Sequence, residues 1–440
     1  MINLKIIAGI KYFTIILFTA LIVFNLGCNK PTEPTTGNVT IAVEEASCTE
    51  VWLAVNTGNI SLPGNFVLYE NNRRKTELTF TQRDTVIVIE NLLPKQNYSY
   101  KLMNSNNVSN EALAITLDTT SHNFTWQTFE FGQHSNSVLY DVAIIDENNI
   151  WAVGEIYMND ANGNPDPIAY NAIHWDGNEW KVKKISVPFR GNIITLPLEG
   201  VFAFSITDIW FVGSLPIHGD GNNWTMYDLR TTVNPNISLS KAWGTSSSNI
   251  YFVGRNCSIA HWNGSSWKKI ESGITLNLQD IWGDINIKHN TKEIICIAAN
   301  IFTNQGTKVI KIDENETKEL TGTGLTAYSS GIWFKTGRKY YVVGGGVQTK
   351  TNVYNSAGWY RFPDGIVNDY YSYKVKGTVL NDIFIVGTAG KVIHYNGRTW
   401  KKYSELISEQ VEYNGISSRN NKIVVVGDKG ARACIAVGRK

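Results

Sequence analysis

Oxygen-bearing side chains recur at every second position in Asp160-Ala161-Asn162-Gly163-Asn164-Pro165-Asp166. Alternating carboxylates and amides can converge on a hard cation, so Asp160, Asn162, Asn164 and Asp166 are the residues that could hold Ca2+. The helix-loop-helix calcium pattern requires Gly where Pro165 stands and a bidentate Glu where Asn171 stands. Asn, Gly and Pro are also the ordinary make-up of a polar turn, so a plain loop is the expectation and calcium the alternative. Other chemistry is less marked. His174, His261 and His394 occupy equivalent places in a repeat and lack zinc-ligand spacing. No Gly-rich phosphate turn follows a strand–helix unit, and no carboxylate pair stands out for glycoside cleavage, so no catalytic residue is assigned. Beyond Cys28, the spacing of Cys48, Cys257, Cys296 and Cys434 favours none of their three possible pairings, and buried free thiols are expected.

These residues must be carried by β-structure. Aromatics make up 12% of the 440 residues, with 14 Trp and 37 Gly, while charged residues are only 18%. That balance favours strands and tight turns. A formal net charge of +2 leaves no electrostatic footprint for nucleic acid.

One string recurs. Its clearest copy is Asn249-Ile250-Tyr251-Phe252-Val253-Gly254, then Ile259-Ala260-His261-Trp262-Asn263-Gly264, then Trp267-Lys268-Lys269-Ile270. The Val-Gly that closes its second strand falls at Gly154, Gly213, Gly254, Gly344, Gly387 and Gly427, with gaps of 59, 41, 90, 43 and 40 residues. Residues Ile294–Ala299 divide the long gap as an eroded copy, which makes seven units of roughly four strands. This period predicts a seven-bladed β-propeller over residues 124–440, built of Trp-Asp/Asn-Gly-x-x-Trp hairpins. The seventh unit stops at Val437-Gly438 without a fourth strand, and Trp126–Phe131 precedes the first unit without a sheet of its own. Pairing of the two would close the ring from its N-terminal side and cover open edges.

The propeller frame ranks the binding candidates. The loop Glu155–Asn171 and the connections Ser186–Glu199, Asp228–Ser240, Gly345–Asn352 and Pro363–Tyr371 are expected on one face. They bring Arg190, Arg230, Arg255, Asp364, Asp369, Tyr370 and Tyr371 to the mouth of the ring, and such residues make good anchors. Trp175, Trp180, Trp224, Trp262, Trp267 and Trp400 are read as blade packing rather than sugar platforms. The turn Asp176-Gly177-Asn178-Glu179-Trp180 differs from the Asp-box of sialidase-type propellers by one residue in its Asp-to-Trp interval.

Ahead of the ring lie an address and a second domain. Lys5 and Lys11 precede the apolar run Tyr12–Phe24, which is too short to span a bilayer comfortably. The run ends in Asn25-Leu26-Gly27-Cys28 and is followed by a polar, proline-bearing stretch. It resembles a bacterial lipoprotein signal over residues 1–28. That resemblance implies lipid modification of Cys28, a linker over 29–37, and residence in the bacterial cell envelope, with the outer membrane expected. Seven short apolar alternations over residues 38–120 predict a β-sandwich. Leu92-Leu93-Pro94-Lys95-Gln96-Asn97-Tyr98, with Trp52 on an early strand, resembles the fibronectin type III family. The resemblance implies that Tyr98 is a tyrosine-corner residue, Trp52 the family's buried Trp and the domain a spacer.

The expected protein is thus all-β. It is an envelope-anchored binding or scaffold lipoprotein that recognises a protein or glycan through loops of the propeller face. A glycan-active hydrolase or lyase with its site in the propeller funnel is the alternative.

Overall fold

The structure, a computed structural model, describes residues 5–7, 39–105, 107–300, 306–320 and 323–440. Cys28, the apolar run and the linker 29–37 lie outside the described residues. Two compact units divide the chain at residues 119 and 120.

The first unit consists of two antiparallel sheets. One orders Thr40–Ala46, Val51–Asn56 and Asp84–Ile89 side by side, with Lys5–Ile7 paired along the free edge of Asp84–Ile89. The other orders Arg73–Phe80, Gly64–Glu70 and Asn97–Asn104, and Ala112–Ile115 also pairs with Asn97–Asn104. Val51, Leu53 and Val55 from the first sheet pack with Phe66, Leu68, Tyr100 and Leu102 from the second in one core. Trp52 is fully buried, as the resemblance implies, and strand alternation points it to the face opposite Val51, Leu53 and Val55.

The second unit holds seven four-stranded antiparallel sheets among its described residues, the propeller-like pattern that the repeat predicts. Their first strands are Val138–Ile144, Gly200–Ser205, Lys241–Ser246, Leu278–Asn286, Ser329–Lys335, Ser372–Val379 and Val411–Arg419. Each first strand packs beside the next, and the last packs beside the first, so the inner strands form a closed cycle of neighbours. Three of the expected connections contain structure of their own. Ser186–Glu199 contains the hairpin Ser186–Phe189/Asn192–Thr195, and Asp228–Ser240 contains the helical turn Leu229–Thr232. Residues Val347–Lys350 of the expected loop Gly345–Asn352 are a third strand.

The repeated string has a physical reading at each position. In the turns, one side-chain oxygen of Asp176, Asp220, Asn263 or Asn396 accepts the two amides two and three residues on. The glycine that follows, Gly177, Gly221, Gly264 or Gly397, lies between φ 91° and 95°, which L side chains rarely adopt. Positive φ therefore belongs to the glycine alone, and the Asp or Asn works as an acceptor. The histidines lie flat on an aromatic of the second strand: His174 on Trp151, His218 on Trp210, His261 on Tyr251 and His394 on Phe384, at 4.1–4.2 Å. His218, His261 and His394 also bond Asp208, Asn249 and Asp382 at the start of that strand. The outer-strand tryptophans reach back to the preceding sheet, Trp224 onto Trp151 and Trp267 onto Trp210. A Trp burying about 200 Å2 at about 25 cal/mol per Å2 gains up to about 5 kcal/mol, enough to account for them as packing.

The seventh sheet joins the ends of the unit. Thr125–Phe131 pairs with Arg432–Arg439 without interruption, from Thr125 opposite Arg439 to Phe131 opposite Ala433. Trp126 stacks edge-on to Tyr403 of the sixth sheet, and Phe129 faces Trp180 of the first. At this seam His122 Nδ1 lies 2.9 Å from His394 Nδ1. With His394 Nε2 donating to Asp382 at 3.0 Å, its neutral ring can only accept at Nδ1, so His122 donates there and its Nε2 accepts from Thr399. Burial, then the neighbouring His394, Lys401 and Lys440, push His122 down to about 4, and burial lowers His394 as well. Both rings thus stay neutral in the folded chain at pH values where the unfolded chain, near 6.5, is already protonated. Their contribution is complete above about pH 6.5 and is lost as pH falls towards about 4. The melting temperature should drop by at least about 2 °C over that window, and His122→Asn should drop less. Equal losses in thermal unfolding monitored by circular dichroism would contradict the assignment.

Candidate functional site

The second-strand glycines mark where the inner strands crowd. A Cβ on Gly154, Gly344, Gly387 or Gly427 would stand 2.0 Å or less from the carbonyl oxygen of Val138, Tyr328, Tyr371 or Glu412 on the neighbouring first strand. Those first strands also carry a bulge at this level. Pairing skips Tyr140, Gln279, Ser330, Tyr373 and Asn414 in the first, fourth, fifth, sixth and seventh sheets. A bulge leaves one residue out of the ladder and re-aims its side chain. Repeated round the ring, it puts a set of polar and aromatic side chains at one end of the axis.

Around that mouth the groups engage one another. Tyr373 donates to Glu412 at 2.9 Å, and its ring lies 5.1 Å from that of Tyr371. Asn414 donates to the Leu139 carbonyl at 3.1 Å and reaches Asp428 at 3.5 Å. Tyr157 donates to Glu155 at 2.7 Å, and Arg255 pairs with Glu199 at 2.7 Å. The charges of Glu155, Glu199, Asp428 and Arg255 all act on Tyr140, which places them about one centre. Burial and then Glu412 push the Asp428 carboxyl up to about 6, and the hydrogen bond to Glu155 and then burial push Tyr157 up to about 12. Tyr140 and Tyr373 are also raised, chiefly by burial, so the tyrosines remain protonated donors at neutral pH. The mouth therefore offers phenol hydroxyls, four carboxylates and one guanidinium to whatever enters it.

Of the residues singled out from sequence, Arg255 stands in this mouth and Tyr371 at its edge. The others are engaged locally. Arg190 forms a two-pronged pair with Asp228 at 2.7 and 3.1 Å. Arg230 reaches the Ile237 carbonyl at 3.4 Å, and Asp364 pairs with Arg361 at 2.9 Å. Asp369 is held by Lys402 and, at 3.6 Å, by Lys391, whose ammonium also bonds the Tyr370 carbonyl. In the calcium candidate, Asp160 accepts the amides of Asn162 and Asn164 at 2.8 and 2.9 Å, and Asp166 pairs with Lys184 at 2.5 Å. Asp160 is thus drawn into the loop's own turn, and Asp166 into an ion pair at the end of the strand Trp180–Lys183. Among the described residues no disulfide joins Cys48, Cys257, Cys296 and Cys434; Cys257 is half-buried and the other three are buried.

Sequence reasoning missed Tyr140, Glu155, Tyr157, Glu199, Tyr373, Glu412, Asn414 and Asp428. A signal for some of them exists. In the inner strands a Tyr, Gln or Ser directly precedes Asp141, Asp280, Lys374 or Gly331, one residue more than an unbroken ladder needs.

Sheets of four antiparallel strands with neighbouring inner strands define the β-propeller class. Two solved structures share the fold. YCF48 bound to a D1 peptide is 14% identical with a TM-score of 0.53, the match covering 73% of this chain and 99% of that one. The WD40 β-propeller domain of Doa1 is 10% identical with a TM-score of 0.51, covering 72% of this chain and 98% of that one. No protein-family model matches the sequence, and no curated protein does.

Proposed function

We propose that the chain is a lipoprotein of the bacterial envelope, anchored through Cys28, whose seven-bladed propeller binds a protein partner at the mouth of its axis. The observation that carries the binding role is the convergence of bulge residues Tyr140 and Tyr373 with Glu155, Glu199, Arg255, Glu412 and Asp428 around one opening. Rigid tyrosines contribute contact area at little entropic cost, and the scaffold beneath them is a closed cycle of strands. Four carboxylates against one arginine favour a segment with basic side chains. The peptide in the YCF48 structure supports a peptide-sized occupant for a propeller of this kind. The first unit acts as a fibronectin type III-like spacer. Its sheet order supports that family, as does the Tyr98 hydroxyl, which accepts the Leu93 amide at 2.9 Å.

One observation favours a second reading, glycan hydrolysis. Asp428 stands opposite Glu412 in the ladder, and burial and then that neighbour push its carboxyl up to about 6, so one carboxyl that takes up a proton readily lies beside a second.

An array of basic, acidic and neutral peptides probed with the full chain tests the binding role. Basic peptides should bind in preference, and Tyr140→Ala combined with Tyr373→Ala should weaken binding about tenfold or more without lowering the melting temperature. Equal binding by both proteins would contradict it, and release of reducing sugar from envelope glycans, abolished by Asp428→Asn, would replace binding with catalysis. For the anchor, Cys28→Ser should move the protein from the membrane to the soluble fraction on cell fractionation. A variant that stays with the membrane would remove the lipoprotein reading.

A further inference from the structure

Beneath the mouth the inner strands carry a second layer of charge. Lys241 Nζ lies 2.9 Å from Asp141, and Lys374 Nζ lies 2.7 Å from Asp280. Each pair joins a first strand to the first strand two sheets further on, so the pairs reach across the axis rather than along a sheet. Lys376 stands two residues beyond Lys374 with no bulge between them, and its side chain therefore projects the same way. Its ammonium lies 4.0 Å from the centroid of the Trp282 ring, and no carboxylate pairs with it among the described residues. Asp280, Asp141 and Lys241 all act on its charge, which places the five groups in one enclosure.

The balance within that enclosure is uneven: three ammoniums face two carboxylates. An enclosed cation without a counter-charge is costly, and burial accordingly lowers both Lys376 and Lys374, the latter to about 8. Trp282 offsets part of this cost through its ring face. Lys376 and Trp282 nevertheless keep partial exposure although they stand on the innermost strands, so both remain within reach of solvent. A small anion arriving from that solvent would meet an unneutralised ammonium in surroundings where charge interactions are strong.

We propose that the axial channel binds a small oxyanion, a phosphate or a carboxylate, seated on Lys376 and Lys374 below the mouth. The site differs from the mouth in depth and in sign of charge, so it stands whether or not a protein partner occupies the opening.

The full chain is melted at pH 7 in sodium phosphate, sodium acetate and sodium chloride of equal ionic strength, beside Lys376→Met. Phosphate or acetate should raise the melting temperature saturably by several degrees over chloride, the more effective anion telling a phosphoryl from a carboxylate ligand. Lys376→Met should abolish the difference. Identical midpoints in all three salts, or an undiminished rise in the variant, would overturn the proposal. Should Lys376→Met not fold, the phosphorus-31 line of inorganic phosphate and the carboxyl carbon-13 line of acetate decide: saturable broadening of either by the unaltered protein supports the site, and two unbroadened lines overturn it.

Discussion

The ladder between Thr125–Phe131 and Arg432–Arg439 is the interaction on which the rest of the second unit depends. It joins residues more than three hundred positions apart and gives the seventh sheet its fourth strand. Without that strand, Arg432–Arg439 would present an open edge, and Trp126 and Phe129 would leave Tyr403 and Trp180 without their partners. The consequence reaches the axis. Val411–Arg419 is held beside Val138–Ile144 so closely that a Cβ on Gly415 would stand 2.8 Å from the Asp141 Cα. That approach brings Glu412, Asn414 and Asp428 alongside Tyr140. The side of the mouth formed by Glu412, Asn414 and Asp428 is therefore a product of closure.

The mouth and the layer below it follow from one backbone device used repeatedly. A bulge on a first strand lies beside a crowded position of the adjacent second strand, and in four of the five sheets with a bulge there the residue is glycine. The eroded fourth copy has Ala298 opposite Leu278, at the place where Gly154 stands opposite Leu139. The same bulge turns one side chain out of the ladder, so the glycines and the mouth residues are two sides of a single constraint. Below it, the inner strands alternate charge with aromatic bulk. Trp243 packs over Gly283 and Trp333 over Gly377, again a large residue against a position that has no room for a side chain.

The hairpins were legible because their signals are local. Asp-Gly and Asn-Gly turns, the Trp three residues beyond each Gly, and the Val-Gly ends all lie within one unit, and their count predicted the sheets. The missing final strand and the orphan Trp126–Phe131 made the closing pair readable as well. The site was not legible to the same degree, because its geometry is non-local. The Lys241–Asp141 pair spans 100 residues and Tyr373–Glu412 spans 39, and no spacing rule links such positions. Bulge residues such as Tyr140 read in sequence as ordinary strand residues. Conspicuous loop residues misled because their charge is already taken up: Asp364 pairs with Arg361 three residues away, and Arg190 pairs with Asp228 38 residues on, beyond the whole second sheet.

Hydrogen exchange measured peptide by peptide tests the closing ladder most directly. If Thr125–Phe131 is the fourth strand of the last sheet, its amides should exchange as slowly as those of Arg432–Arg439, and both should be released together as denaturant is raised. Rapid exchange in residues 125–131 while residues 422–429 stay protected would contradict closure and, with it, the assembly of the mouth.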